Sequence, residues 1–195
     1  MSKISPKSDN MKKILSILAF LCAAWMSVQA ERVILGAEQT KQYLPLLKDK
    51  RVALLSNHTG IIIQTKSERR ETKNDTIHTL DWLLQHGVEV TAIFSPEHGF
   101  RGTAREGELV ASSVDEKTGI PILSLYDGKS KRPSKEAMQT FDVLITDIQD
   151  VGLRFYTYYV TMYRLMDVCA KEGKQFMVFD RPNPNGYYVD GPILD

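Results

Sequence analysis

An α/β fold, with a largely parallel sheet flanked by helices, is predicted by three features of the sequence. Short apolar runs rich in β-branched residues recur along the chain, segments with helical spacing lie between them, and polar motifs broken by Gly or Pro follow the runs. Strands that alternate with helices imply βαβ units, which need a parallel sheet. Composition agrees with a globular domain: 43% of the 195 residues are hydrophobic, 25% are charged and the formal net charge is +1. That balance excludes a disordered tail, a collagen-like repeat and a strongly basic nucleic-acid binder.

The first 30 residues stand apart. Lys12 and Lys13 precede a 13-residue apolar run from Ile14 to Met26, which closes at Val28-Gln29-Ala30. This has the pattern of a secretory signal peptide, with cleavage expected after Ala30. The run is shorter than the roughly 17 to 25 residues of a transmembrane helix, so no stable membrane insertion is expected after cleavage. Loss of residues 1–30 removes four lysines and one aspartate, leaving 21 basic against 23 acidic residues. A chain near −2 offers no electrostatic footprint for nucleic acid or an anionic bilayer. Cys22 leaves with the leader, and bulky Leu21 before it argues against lipid attachment. Cys169 then has no partner for an internal disulfide, so an apolar core must supply the stability.

Residues 31–195 fit one domain. A weak helix is expected from Glu38 to Leu47, followed by a strand at Val52 to Ser56. Ile77, Leu80, Leu83 and Leu84 share one helical face, with Asn74 or Asp75 as the cap and Gly87 as the stop. Further strands are expected at Val88 to Ser95, Ile120 to Tyr126, Val143 to Ile148 and Phe176 to Phe179. Arg101 to Thr118 is long for a βα connection, where two to six residues are usual, and is read as an active-site loop. Asp127 to Pro133 is read as a solvated turn, with a short helix from Lys135 to Thr140 after it. Tyr159, Met162, Tyr163, Met166 and Cys169 or Ala170 form a helical stripe ending before Gly173. The last residues, Gly191 to Asp195, have turn chemistry with no closing helix, and the domain is expected to be truncated there.

In open parallel sheets ligands bind beyond the carboxyl ends of the strands. Four motifs occupy that edge: Asn57-His58-Thr59-Gly60, Pro96-Glu97-His98-Gly99-Phe100-Arg101-Gly102, Asp147-Ile148-Gln149-Asp150-Val151-Gly152 and Asp180-Arg181-Pro182-Asn183-Pro184. At the other edge, Lys50-Arg51, His86-Gly87 and the 171–174 stretch have the look of solvated turns. Glu97 is the leading catalytic candidate, because a carboxyl at an apolar strand end is placed to act as a general acid. Its structural alternative is a helix-capping or salt-bridged Glu. Asp147 and Asp150 are candidates for the second carboxylate that glycoside hydrolysis usually needs, with Glu106 behind them. Asn57, His58, His98, Arg101, Gln149, Arg154, Tyr156 and Asp180 are candidate substrate-binding residues. Carboxylates and amides hold hydroxyls, while aromatic faces cover the apolar side of a sugar ring. No His-Glu-x-x-His or Cys-x-x-Cys spacing supports a metal site. Nor is there a Gly-x-Gly-x-x-Gly, a phosphate loop or a Gly-x-Ser-x-Gly elbow, so no cofactor is expected.

The Ser95 to Gly102 motif, the Asp147 to Tyr158 motif and the Asp180 to Pro184 motif together resemble the exo-β-N-acetylmuramidases of the NamZ type, from about Arg51 to the last residue. The resemblance implies a Rossmann-like N-terminal domain without a nucleotide site, followed by a smaller C-terminal domain. It implies release of terminal N-acetylmuramic acid (MurNAc) from the non-reducing end of peptidoglycan fragments such as MurNAc-GlcNAc; the leader makes a periplasmic or extracellular setting the expectation. The family's catalytic glutamate, in its Pro-Glu-His-Gly motif, maps onto Glu97. Arg101 or Arg154 is then a candidate for binding the lactyl carboxylate through a bidentate pair. A non-catalytic peptidoglycan- or carbohydrate-binding module is the rival expectation, and it predicts that Glu97→Gln is tolerated.

Overall fold

The structure, a computed structural model, describes Met11, Lys13, Ser16 and residues 33–64, 75–101, 111–125, 128 and 131–193. The leader expected over residues 1–30 therefore lies almost wholly outside the described residues, as do Glu106 and half of the 101–118 loop. Among the described residues no helix is long and apolar enough to cross a membrane.

Residues 34–195 form one compact unit around a six-stranded sheet. Its strands are β1 (Arg51–Ser56), β4 (Glu89–Ser95), β5 (Ser113–Val114), β6 (Pro121–Ser124), β7 (Val143–Asp147) and β8 (Gln175–Val178). A separate antiparallel hairpin pairs β2 (Ile61–Gln64) with β3 (Asp75–His78). The sheet order is β5-β6-β4-β1-β7-β8, and every pairing is parallel except β5 with β6. Taken along the chain, the five parallel strands run 3-2-1-4-5, the doubly wound order. The chain moves outward from β1 to β6, then returns to the other side of β1 with β7. β1 and β7 thus flank the switch point.

Both faces of the central strands are buried, as parallel sheets require. Val52, Leu54, Ile93, Val143 and Ile145 pack on one face with Tyr43 and Leu47 of α1 (Thr40–Leu47) and Leu80 and Leu83 of α2 (Thr79–Gln85). On the other face Ala53, Leu55, Phe94 and Leu144 meet Met138 of α3 (Lys135–Met138) and Leu165 and Cys169 of α4 (Tyr158–Lys171). At the amino edge, Arg51 Nη2 lies 2.8 Å from Asp142 Oδ1 and its backbone N–H donates to Asp142 Oδ2 at 3.0 Å. Arg51 therefore pins β1 to β7 rather than belonging to a solvated turn. Hydrogen bonding to Arg51 holds the Asp142 carboxyl down to about 2.

Four local expectations change. Ile77 sits in β3, and α2 begins two residues later at Thr79. Its cap is His78, whose Nδ1 accepts the Leu80 N–H at 3.1 Å, in place of Asn74 or Asp75. The first helix is split, with a 3₁₀ turn at Gly36–Glu38 ahead of α1. Part of the expected 101–118 loop is the edge strand β5. In α4 the buried stripe is Tyr158, Thr161, Leu165 and Cys169, whereas Tyr159, Tyr163 and Met166 are exposed. Hydrophobicity alone favoured the more aromatic face. The face that packs is narrower and includes a threonine whose hydroxyl bonds the Thr157 carbonyl at 3.2 Å.

Candidate active site

At the switch point, Asp147 ends β7 fully buried, on the α2 side of the sheet. Burying a carboxylate is costly unless it is paired and hydrogen-bonded. Arg181 supplies the pairing, with Nε 2.6 Å from Oδ1 and Nη2 3.1 Å from Oδ2. The Thr79 hydroxyl at the start of α2 donates to Oδ2 as well. Arg181 Nη2 also donates to the Ile61 carbonyl at 2.9 Å, which ties the hairpin to this knot. Both Asp147 oxygens are therefore occupied by protein.

Beside it, Asn57 is fully buried just beyond β1. Its Oδ1 accepts from the Thr59 N–H at 2.9 Å and from the Thr59 hydroxyl at 2.6 Å. Thr59 Oγ1 in turn accepts the Gln149 N–H at 3.0 Å, stitching the loop after β1 to the loop after β7. The Gln149 side chain is spent on loop carbonyls, donating to Asp150 O at 2.6 Å and Pro182 O at 3.0 Å. His58 is exposed at the tip of the β1 loop. His78 Nδ1 accepts from Leu80, so the neutral ring carries its proton on Nε2, which donates to Asn57 O at 2.8 Å. Burial pushes the His78 imidazole below its ordinary value.

Glu97 follows β4 in a tight turn, half-buried, between buried Pro96 and half-buried His98. The Gly99 N–H closes the turn on Pro96 O at 3.0 Å, and His98 takes φ of +70°, a conformation unusual for a residue with a side chain. The Thr157 hydroxyl donates to Glu97 Oε2 at 2.7 Å. Thr157 holds the N-cap position of α4, yet its hydroxyl makes no capping bond to the helix. The side chain that would ordinarily satisfy a helix terminus is turned onto the carboxylate instead. Buried Phe100 stacks edge-on to His78 at 5.0 Å, and Arg101 lies over the Phe100 ring at 4.6 Å. Arg101 also pairs with Asp115 at 2.6 Å, so its guanidinium holds the rim of the loop together.

Asp150 is half-buried and divides its carboxylate between two surroundings. Oδ1 accepts the Gly152 N–H at 2.7 Å, while the buried Oδ2 has no partner among the described residues. Gly152 has φ of +74°, and Asn183 crowds it so closely that an added Cβ would stand 2.4 Å from Nδ2. Asn185 Nδ2 donates to Val151 O at 2.9 Å across the same seam. Arg154 is exposed and donates to Pro192 O at 2.8 Å, and half-buried Tyr156 stacks edge-on to Tyr158 at 5.3 Å. Asp180 is exposed, with its carbonyl accepting the Gly36 N–H at 2.9 Å.

The four motifs therefore all sit at the carboxyl edge. Asn57, Asp147 and Gln149 are joined there in one knot, and Glu97 is joined to α4. Arg101 and Arg154 instead spend hydrogen-bonding capacity on protein groups. The sequence reading did not select Thr79, His78, Thr157 or Arg181. Arg181 did carry a signal, since a strand-end aspartate buried at a switch point demands a cation. Among the described residues no three His, Cys, Asp or Glu side chains converge as metal ligands.

A doubly wound α/β domain with carboxylates gathered at the carboxyl edge of its sheet, beside the strand-order switch, is the class defined by this fold and edge. The chain belongs to the family described as exo-beta-N-acetylmuramidase NamZ, N-terminal, which matches residues 52–195. It is 44% identical over 155 residues to the peptidoglycan beta-N-acetylmuramidase NamZ of Bacillus subtilis (strain 168), covering 78% of this chain and 34% of that protein. Two crystal structures of DUF1343 family proteins from Bacteroides fragilis are similar. One has a TM-score of 0.65 at 53% identity, covering 85% of this chain and 39% of that one. The other has a TM-score of 0.67 at 36% identity, covering 83% and 38%. The chain thus spans about a third of the length of the curated relative.

Proposed function

We propose that this chain forms the Rossmann-like part of an exo-acting glycosidase that releases terminal MurNAc from the non-reducing end of peptidoglycan fragments. The observation that carries the reading is Glu97, a half-buried carboxyl at the end of a central strand, fixed by the Thr157 hydroxyl at 2.7 Å. With Oε2 held by Thr157, Oε1 is the oxygen from which Glu97 protonates the departing glycosidic oxygen, while water adds its hydroxyl to the anomeric carbon and its proton restores the Glu97 acid. Asp150 is the carboxylate of the 147–150 segment that retains an oxygen for substrate, since Arg181 and Thr79 occupy Asp147. Half-buried Tyr156, in the segment between Asp150 and Thr157, offers an aromatic face.

The test incubates the chain and its Glu97→Gln variant, both checked for cooperative melting, with MurNAc-GlcNAc and quantifies free MurNAc. Release by the parent, reduced about 10²-fold or more in the variant, supports a general acid. Equal behaviour of the two chains would instead mark a binding module. Export belongs to the same reading, because residues 1–30 have the pattern of a leader. Sequencing the N-terminus of protein recovered from the periplasm or the medium is expected to find Glu31 first.

A further inference from the structure

A cavity of about 160 Å³ lies on the α4 side of the ends of β7 and β8. Its walls include Ile148, Tyr158, Met162 and Phe179, and they are mainly apolar. Asp180 and Arg181 also line it, and two further polar groups interrupt the apolar walls. Thr146 is 2% exposed and its hydroxyl has no hydrogen-bond partner among the described residues. Asp150 lines the cavity as the second, and its buried Oδ2 has no partner among the described residues. The pleat explains the position of Thr146: Asp147 turns to the α2 face and into the Arg181 knot, so its neighbour turns to the α4 face. Native proteins seldom leave buried polar atoms unpaired, and two such atoms in one cavity call for a ligand that answers both.

The pair specifies a chemistry. A carboxylate oxygen only accepts, so it asks for an N–H or O–H; a threonine hydroxyl can donate, so it suits a carbonyl. An amide carries both groups, and the apolar walls suit a methyl beside it. The size fits as well, since a cavity of about 150 Å³ takes a benzene ring. We infer that this cavity is the subsite for the acetamido group of an N-acetylated sugar, with Asp150 Oδ2 accepting its N–H, Thr146 Oγ1 donating to its carbonyl, and its methyl lying against Met162 and Tyr158. The sugar named here rests on the glycosidase reading; the amide chemistry of the cavity does not. Asp150 then serves to hold the substrate rather than to attack it.

The experiment measures binding of MurNAc and of muramic acid, its free-amine counterpart, to the whole chain and to Thr146→Val and Thr146→Ser. NMR contacts from the acetyl methyl are recorded alongside. The parent is expected to prefer MurNAc by about tenfold or more, because a site built to hydrogen-bond a group rejects an analogue lacking it. Thr146→Val is expected to lose most of that preference and Thr146→Ser to keep it, with acetyl-methyl contacts to the Met162 methyl in the parent. Equal binding of the two sugars, a preference for the amine, absence of binding to either, full preference in a cooperatively melting Thr146→Val, or a methyl without contact to Met162 would each overturn the assignment. MurNAc release from MurNAc-GlcNAc is followed in the same samples. Release without an acetamido preference removes the cavity and leaves the glycosidase; the preference without release does the reverse.

Discussion

Arg181 grips Asp147 through two hydrogen bonds, one from Nε at 2.6 Å and one from Nη2 at 3.1 Å, and the two side chains are 6% and 0% exposed. The pair joins the exit of β8 to the end of β7 at the strand-order switch, so it sets the spacing of the loops that carry Asp150 and Asp180. Removing one partner leaves the other charge buried and uncompensated. Arg181→Met or Asp147→Asn is therefore expected to destabilise the chain by about 3–5 kcal/mol. Urea unfolding checks this, and the double variant Asp147→Leu/Arg181→Met, which removes both charges, is expected to recover part of the loss. A loss below 1 kcal/mol in both single variants would show that the pair is solvated and replaceable.

Stability should also fall as the medium is acidified through the histidine range, on account of His78. Burial lowers its affinity for protons from the ordinary 6.5, and Arg101 acts in the same direction, against the Asn57 carbonyl, Asp147 and Asp81. The sign follows directly. Below about pH 6.5 the unfolded chain takes up a proton that the folded ring refuses, so the unfolded state binds more protons and gains. The contribution is complete above 6.5 and declines by at most about 1.4 kcal/mol per pH unit below it, until the folded ring titrates too. His78→Gln is expected to flatten that slope in denaturant titrations at a series of pH values. Asp142, held down to about 2 by Arg51, acts in a separate window: its contribution is present above 3.8 and is lost as pH falls towards about 2.

Much of this architecture is legible in the sequence because buried parallel strands announce themselves. All five expected strands exist, with ends shifted by a residue or two, and the edge rule gathers Asn57, Glu97, Asp147 and Asp180 correctly at their carboxyl ends. Side-chain partnership is what periodicity does not encode. Asp147 and Asp150 lie three residues apart with the same carboxyl chemistry, yet one is locked by an arginine 34 residues away and the other keeps an open oxygen. Thr79 and Thr157 matter through their hydroxyls, which no hydropathy pattern marks. The β2–β3 hairpin escaped for a different reason. Ile77 fits a strand and a helix equally well, and the choice is made by His78, whose ring caps α2 from the last position of β3.

Gly152 offers a test of the seam between the 150–157 segment and the 180–185 segment. Its φ of +74° costs about 1–2 kcal/mol for a residue with a Cβ, and that Cβ would meet Asn183 at 2.4 Å. Gly152→Ala is expected to speed backbone hydrogen exchange across both segments and to lower activity, while exchange in β1 and β4 stays slow. Combining it with Asn183→Gly should remove the contact and leave the φ cost, restoring part of the protection. Unchanged exchange at 150–157 would mean that the seam does not depend on this close approach.

Thr157 separates the positioning of Glu97 from the integrity of the fold. Its hydroxyl bonds the carboxylate and makes no capping bond to α4, so Thr157→Val removes a contact within the site without removing a cap. A hydrogen bond to a charged group is worth about 1.5–3 kcal/mol, which corresponds to roughly a 10- to 150-fold effect on rate if it is realised fully in the transition state. The expected result for Thr157→Val is a fall in kcat of about tenfold or more, with KM and melting temperature little changed. Thr157→Ser keeps the hydroxyl and should recover most of the rate. The split between kcat and KM distinguishes this from a general loosening of the cleft, which would raise KM as well. If Thr157→Val and Thr157→Ser lose rate equally, the methyl group rather than the hydroxyl holds Glu97 in place.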